Sequence, residues 1–301
     1  MDWIEYDSLQ TQIVWRTEMK IVVTGASGQL GHDVTKVLYE RGIEYIGLSS
    51  QDCDITDELA VQQIFEKERP DAVIHCAAYT QVDNAEDDTE SCWKINVGGT
   101  QNIVRACQRY GTKMMYISTD YVFSGDGEHF HEPMDDPEPK GIYGKSKLAG
   151  ELTVQSGLTD YFIIRTSWAF GLHGRNFVKT MLAIAEKQKI INVVDDQIGS
   201  PTYTADLAHL LCDIICTDKY GVYHATNEGV CSWADFAEEI FTMSRKKVKV
   251  CRITSEQYHA RAMRPLNSRM SNKKLLENGF KLLPPWQDAL KRFLSEFLRI
   301  E

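Results

Sequence analysis

The chain has 301 residues, 43% hydrophobic and 25% charged, which is enough to build one large or two modest cores. A formal charge of −10 excludes nonspecific nucleic-acid binding, which needs a basic surface to displace counterions from phosphate, and leaves room only for a local anion pocket. No apolar run approaches the ~20 residues of a membrane helix, and the acidic start Met1-Asp2-Trp3-Ile4-Glu5 lacks the order of a signal peptide, so no membrane partner is expected and the cytoplasm is the expected compartment.

Residues 1–18 contain Trp3, Tyr6 and Trp15 without a hydrophobic period and read as an N-terminal extension outside the fold. From Met19 the pattern becomes regular. Ile21-Val22-Val23 leads to a helix from about Gln29, Tyr45-Ile46-Gly47-Leu48 to a helix from about Asp57, and Ala72-Val73-Ile74-His75 to a helix across Thr89 to Tyr110. Met114-Met115-Tyr116-Ile117 and Phe162-Ile163-Ile164-Arg165 follow as further short apolar runs. This alternation specifies a parallel sheet covered on both faces, because each crossover must return the chain to the same end of the sheet. The predicted class is α/β: a doubly wound (Rossmann) parallel sheet over 19–170, with later segments returning to it. Residues 171–301 form mainly a smaller substrate-binding lobe ending in a helix from about Trp286 to Leu298. The one loop-rich stretch is Gly125 to Gly141.

The eight cysteines show no CxxC and no paired spacing, which argues against a zinc site or disulfide framework. Cys212 and Cys216, four apart on a helical pattern, read as two buried thiols on one face. His129 and His131 flank Phe130 in a Pro- and Asp-rich loop, a weak basis for metal ligation, and no metal is assigned.

The first strand runs into Thr24-Gly25-Ala26-Ser27-Gly28-Gln29-Leu30-Gly31 and then a helix. Glycines at such positions permit a tight turn, let backbone N–H groups approach a pyrophosphate, and bring the helix N-terminus close to the anion. Further along, Tyr143-Gly144-Lys145-Ser146-Lys147 places a phenol and an ammonium four apart, on one helical face, after the strand end Ser118-Thr119-Asp120. Hydride arriving at a carbonyl carbon leaves charge on oxygen, so a proton must be delivered there. Tyr143 is the candidate donor, Lys147 is expected to stabilise its phenolate and lower its pKa, and Thr119 is expected to orient the carbonyl.

The spacing Gly-x-x-Gly-x-x-Gly resembles the short-chain dehydrogenase/reductase superfamily, as do Cys53-Asp54-Ile55-Thr56-Asp57, His75-Cys76-Ala77-Ala78-Tyr79 and the Tyr-x-x-x-Lys pair. Six further segments resemble the dTDP-4-dehydrorhamnose reductase family: Ala77 to Asp83, Ser118 to Gly125, Arg165-Thr166-Ser167-Trp168, Asn176 to Met181, Asp196 to Thr202, and Arg264 to Ser268. That resemblance runs from Met19 to near the C-terminus. It implies NADPH- or NADH-dependent reduction of the C4 ketone of a sugar nucleotide. It further implies that Gly25, Gly28, Gln29, Leu30 and Gly31 form the pyrophosphate turn, Asp54 and Ile55 meet the adenine, and Ala77, Ala78, Tyr79 and Thr80 line the middle of the cofactor. Tyr143 and Lys147 would also touch the cofactor, while Thr119, Asp120 and Trp168 would lie at the sugar. A homodimer is compatible with the family.

Two departures limit what is carried over. Some relatives dimerise around Mg²⁺ held by glutamates, one of them two residues past the third glycine, where this chain has Asp33; the metal is not transferred. Ser49 and Ser50 stand where an acidic residue would select NAD, and no arginine beside them grips a 2′-phosphate, so either cofactor is allowed. Sugar-nucleotide epimerases and dehydratases share the glycine turn and Tyr-x-x-x-Lys, but the dehydratases follow the active threonine with Asp-Glu, and here Asp120 is followed by Tyr121. A non-catalytic role like that of the regulatory subunit of methionine adenosyltransferase is the remaining alternative.

Overall fold

The computed structural model describes residues 19–300, so the extension expected over 1–18 lies outside the described residues. In chain order the first half comprises β1 (Lys20–Thr24), α1 (Gln29–Glu40), β2 (Glu44–Leu48), α2 (Glu58–Glu68) and β3 (Ala72–His75). Then come α3 (Val82–Ala85), α4 (Thr89–Trp93), one stretch of π-helix (Lys94–Gly99), α5 (Thr100–Tyr110), β4 (Lys113–Thr119), α6 (Ile142–Gly157) and β5 (Tyr161–Thr166). These five strands pair in parallel in the order β5-β4-β3-β1-β2, and a sixth, Gly221–His224, extends the sheet beyond β5. The order reverses between β1 and β3, and ligands of doubly wound sheets bind at such a switch point, outside the carboxyl ends of the strands.

Alternating side chains explain why the strand segments are apolar throughout. Ile21 and Val23 of β1, Ile74 of β3, Met115 of β4 and Phe162 and Ile164 of β5 pack into one core with α1 and the helix Thr204–Ile215. Val22, Val73, Met114, Tyr116 and Ile163 point the other way, into a core with α2 and α5. With both faces covered, both sets of positions are apolar along the middle of these strands, and the buried polar residues Thr24, His75, Ser118 and Arg165 fall toward their carboxyl ends. Helix Thr204–Ile215 and strand Gly221–His224 therefore return to the first sheet from within the later half of the chain. Cys212 and Cys216 are both buried against α1 in the first of these cores.

The remaining segments form a third core. It gathers Phe170 from the short strand Ala169–Phe170 with Val178, Phe236, Trp286 and Phe293 from helices Phe177–Ala185, Trp233–Met243 and Trp286–Ile300. Helix Trp233–Met243 begins with a capping box in which Ser232 and Asp235 satisfy each other's backbone N–H. Among the described residues no helix is long and apolar enough to cross a membrane.

The helix expected across Thr89 to Tyr110 is interrupted by the π-helical stretch at Lys94–Gly99. Its Gly99 lies against Ile55, where an added Cβ would stand 2.6 Å from Ile55 Cδ1. The insertion also turns Asn96 inward, with consequences for the site.

Candidate active site

The glycine turn joins β1 to α1. Gly28 N–H donates to Gly25 O at 2.9 Å, and Gly25 has φ +68°, a conformation that favours glycine. A Cβ on Gly25 would lie 2.7 Å from Ala77 N, and one on Gly31 would lie 2.2 Å from Gly25 O. Backbone therefore packs directly on backbone, bringing the ends of β1 and β3 together. No side chain caps α1, so the N–H groups of its first turn are available to an anion. A cradle of this kind fits a dinucleotide pyrophosphate. Gln29 also reaches away from the turn, donating to Ala169 O at 3.2 Å and accepting from Asn176 Nδ2 at 2.8 Å, and so ties it to the later half of the chain.

Beyond β2, Asp54 is exposed and accepts from the N–H and hydroxyl of Thr56, bonds that hold its carboxyl below the usual range. Ile55 is buried, with its carbonyl accepting from Asn102. Beyond β3, Ala77 N–H reaches Thr24 Oγ1 at 3.3 Å, Tyr79 N–H donates to Asn96 Oδ1 at 2.8 Å, and Thr80 is exposed.

Asn96 was not singled out by its residue type, because an asparagine inside a helix pattern is ordinary. Its Nδ2 donates to Tyr79 O at 3.2 Å and to Ser146 Oγ at 2.9 Å, and Ser146 Oγ donates to Tyr143 O at 2.8 Å. One side chain thus joins the backbone after β3 to the first turn of α6. The local sign was the Gly98-Gly99 pair in the middle of an apolar helix; π-helical insertions cluster at functional sites.

The first turn of α6 and the end of β4 bring Tyr143, Lys147, Thr119 and Asp120 together. Tyr143 stands edge-on to Tyr121, ring centroids 5.5 Å apart. Lys147 is buried, with Nζ 4.0 Å from the Tyr116 ring centroid. Asp120 is buried and accepts from Ser268 Oγ at 2.5 Å and from Thr119 Oγ1 at 2.9 Å. Nearby, Arg264 pairs with both oxygens of Asp83, at 3.1 and 2.6 Å.

The electrostatics correct one expectation. Lys147 does not bring the Tyr143 phenol down in this arrangement. Burial first, then the Asp120 carboxylate, hold the phenol well above its ordinary value against the opposing hydrogen bond of Thr119. Lys147 is itself lowered, to about 7, because burial disfavours its ammonium more than the Glu151 carboxylate supports it. Tyr143 consequently keeps its proton at neutral pH.

Burial also raises the Asp120 carboxyl, to about 6, against the hydrogen bonds of Ser268 and Thr119. The sign of the resulting pH dependence follows directly. Between about pH 4 and 6 the folded state holds a proton that the unfolded state has lost, so this residue's contribution to stability falls as pH rises through that window. Asp120→Asn removes the penalty. It should gain stability over the parent at pH 7 by up to about 2 kcal/mol, and little at pH 4, in urea unfolding at both pH values. An equal difference at the two values would show that Asp120 is not titrating in the folded protein.

Trp168 has a different set of neighbours. It follows β5 with φ +49°, stacks on Trp233 at 3.7 Å, and lies against Gly199, where a Cβ would come within 2.8 Å of the indole. It remains partly exposed at the edge of the third core. Asp33 is buried and accepts the Thr204 hydroxyl at 2.5 Å, a structural bond between α1 and helix Thr204–Ile215. His129, His131 and Asp135 present ligand atoms within 4.8 Å of one another. The Nε2 of His131 is nevertheless buried without a partner, whereas a metal-bound imidazole normally donates its second N–H to an acceptor, and the ring stacks on Phe123 at 4.2 Å.

Comparison with known proteins adds a family to this geometry. The family model described as the RmlD substrate binding domain matches residues 19–299. The spore coat polysaccharide biosynthesis protein SpsK of Bacillus subtilis is 39% identical, the match covering 92% of this chain and 97% of that protein. The dTDP-4-dehydrorhamnose reductase of Aggregatibacter actinomycetemcomitans is 40% identical over 90% of this chain and 97% of its own. Among solved structures, dTDP-4-dehydrorhamnose reductase from Bacillus anthracis in complex with NADP superposes with a TM-score of 0.90 at 43% identity, covering 92% of this chain and 99% of that one.

Proposed function

This chain belongs to the family of the RmlD substrate binding domain, and from that premise we propose that it reduces the C4 ketone of dTDP-4-dehydro-L-rhamnose to give dTDP-L-rhamnose, with Tyr143 donating the proton. It is an NAD(P)H-dependent oxidoreductase. The observation that carries the reading is the meeting of Tyr143, Thr119 and Asp120 beside a backbone cradle at the carboxyl edge of the sheet.

Gly25, Gly28, Gln29, Leu30 and Gly31 would hold the pyrophosphate through backbone N–H groups, Asp54 and Ile55 the adenine, and Ala77 to Thr80 the middle of the dinucleotide. When bound, the reduced nicotinamide supplies the hydride. Tyr143 holds a proton on its phenol because burial and Asp120 disfavour the phenolate, and it gives that proton to the ketone oxygen as negative charge develops there. Thr119, whose hydroxyl donates to Asp120 in this structure, would orient the same oxygen by turning that hydroxyl from Asp120, which Ser268 fixes, onto the ketone. Lys147, close to neutral pH in its own titration, faces Cys76 and His75 from the first turns of α6 and would meet the cofactor from that side.

A dehydratase would need a second carboxylate after Asp120. That position holds Tyr121, whose ring packs against Tyr143, and this favours the reductase. Purified chain supplied with dTDP-4-dehydro-L-rhamnose should oxidise NAD(P)H mole for mole with product, whereas an epimerase or dehydratase returns its hydride internally and consumes none. In the same assay Trp168→Ala should raise KM for the sugar nucleotide about 10-fold, the loss of a contact of about 1.4 kcal/mol, with cofactor affinity unchanged. Weakening of both ligands together, with several kcal/mol of lost stability, would make Trp168 a packing partner of Trp233 instead.

A further inference from the structure

We propose that this chain prefers NADH to NADPH, and that Asp52, folded back onto Ser49 at the end of β2, sets the preference. The inference rests on the cofactor crevice argued above. β2 pairs with β1 so that Leu48 faces Thr24, and Leu48 O accepts the Ala26 N–H at 3.0 Å. Gly47 lies so close to the glycine turn that a Cβ there would stand 3.0 Å from Ala26 Cβ. Ser49 is therefore the first residue past the strand and adjoins the turn. In sheets of this kind the adenosine ribose lies at the end of the second strand, where a carboxylate binds its hydroxyls or a basic side chain accommodates a 2′-phosphate.

Neither Ser49 nor Ser50 is charged, and the charge arrives from three residues on. Asp52 Oδ2 accepts both the N–H of Ser49, at 2.8 Å, and its hydroxyl, at 2.5 Å. Gln51 N–H in turn donates to Ser49 Oγ at 3.3 Å, closing the turn. The two bonds from Ser49 hold the Asp52 carboxyl below its ordinary range, so it is ionised at neutral pH.

Among the described residues no cation offsets it. From Gly42 to Asp57 the chain has Glu44, Asp52, Asp54 and Asp57 and neither lysine nor arginine. Arg41, just before this stretch, is paired with Asp213 at 2.8 Å, and Lys94 faces Asp54. A ribose hydroxyl can donate to the Ser49–Asp52 pair, whereas a 2′-phosphate would bring about two negative charges beside a fixed carboxylate. The Bacillus anthracis relative was solved with NADP, so the fold itself admits the 2′-phosphate and the choice falls to local residues of this kind.

Titrating the full chain with NADH and NADPH by calorimetry, without sugar nucleotide, tests the preference apart from the reaction. NADH should bind about 10-fold tighter or more. Asp52→Asn should narrow the ratio several-fold through a gain in NADPH affinity, and Ser50→Arg should narrow or reverse it. Equal or tighter NADPH binding, or a ratio unmoved by Asp52→Asn, overturns the inference while leaving the reductase reading intact. Binding of neither cofactor overturns the crevice and this inference with it.

Discussion

Tyr143→Phe is expected to keep the fold and bind cofactor while lowering turnover by ~10²-fold or more, the range general acid catalysis supplies. The substitution removes one oxygen and leaves the ring, so the edge-on contact with Tyr121 at 5.5 Å and the backbone link through Ser146 and Asn96 survive. Neither Thr119 nor Asp120 is free to take over. Thr119 carries a hydroxyl that is already committed to Asp120, and Asp120 is turned toward Ser268. Measuring kcat at saturating substrate beside a nicotinamide titration and a thermal melt separates the outcomes. Turnover within a few-fold of the parent would sink the donor role, and a loss of cofactor binding in step with turnover would make the hydroxyl a binding group.

The parts legible in the sequence are those whose physics is local or periodic. β1 through β5 are readable within one or two residues because each carries a short apolar run, which burial on both faces demands in β1, β3, β4 and β5, while the edge strand β2 buries only Leu48. The glycine turn is readable because only glycine tolerates the backbone contact with Ala77, and Tyr143 with Lys147 because a helix face imposes their spacing. What stayed hidden depends on partners distant in the chain. Ser268 fixes Asp120 from 148 residues away, and Asn176 holds Gln29 from 147. Strand Gly221–His224 has Val222 as its one aliphatic residue, and its place in the sheet is set by pairing with Phe162 to Arg165 of β5, far away in the chain. The π-helical stretch at Asn96 trades regular helix bonds for contacts with Tyr79 and Ser146 that no window of sequence contains. The titration of Tyr143 departs from the sequence expectation for the same reason: the helical spacing to Lys147 is local, whereas the burial that holds the phenol up is made by the whole fold.

Arg165→Met is expected to destabilise the fold by about 3–5 kcal/mol, the cost of leaving one charge of a buried ion pair without its partner. Arg165 on β5 grips Glu151 on α6 with both prongs, Nε to Oε1 at 2.9 Å and Nη2 to Oε2 at 2.7 Å, and both side chains are nearly inaccessible, at 4% and 1%. Nη1 also donates to Pro133 O at 3.2 Å, and the guanidinium lies 5.0 Å from the Phe123 ring centroid. One side chain therefore pins α6, the loop before it, and the turn that carries Thr119 and Asp120. Methionine fills much of the same volume, so the loss reports the stranded carboxylate rather than a cavity. Glu151→Gln in the same chain removes that carboxylate, and the double variant should recover more than half of the loss in urea unfolding; additive losses would mean that the two residues do not act as a pair. The pair also governs the catalytic helix. Glu151 lies one turn beyond Lys147 and is the principal support of its ammonium against burial. With Arg165 gone, a carboxylate that stays ionised turns its full charge on Lys147 and raises its pKa above about 7, whereas one that takes up a proton lets it fall further. The pH dependence of turnover in the single variant therefore tells which of the two buried groups gives way.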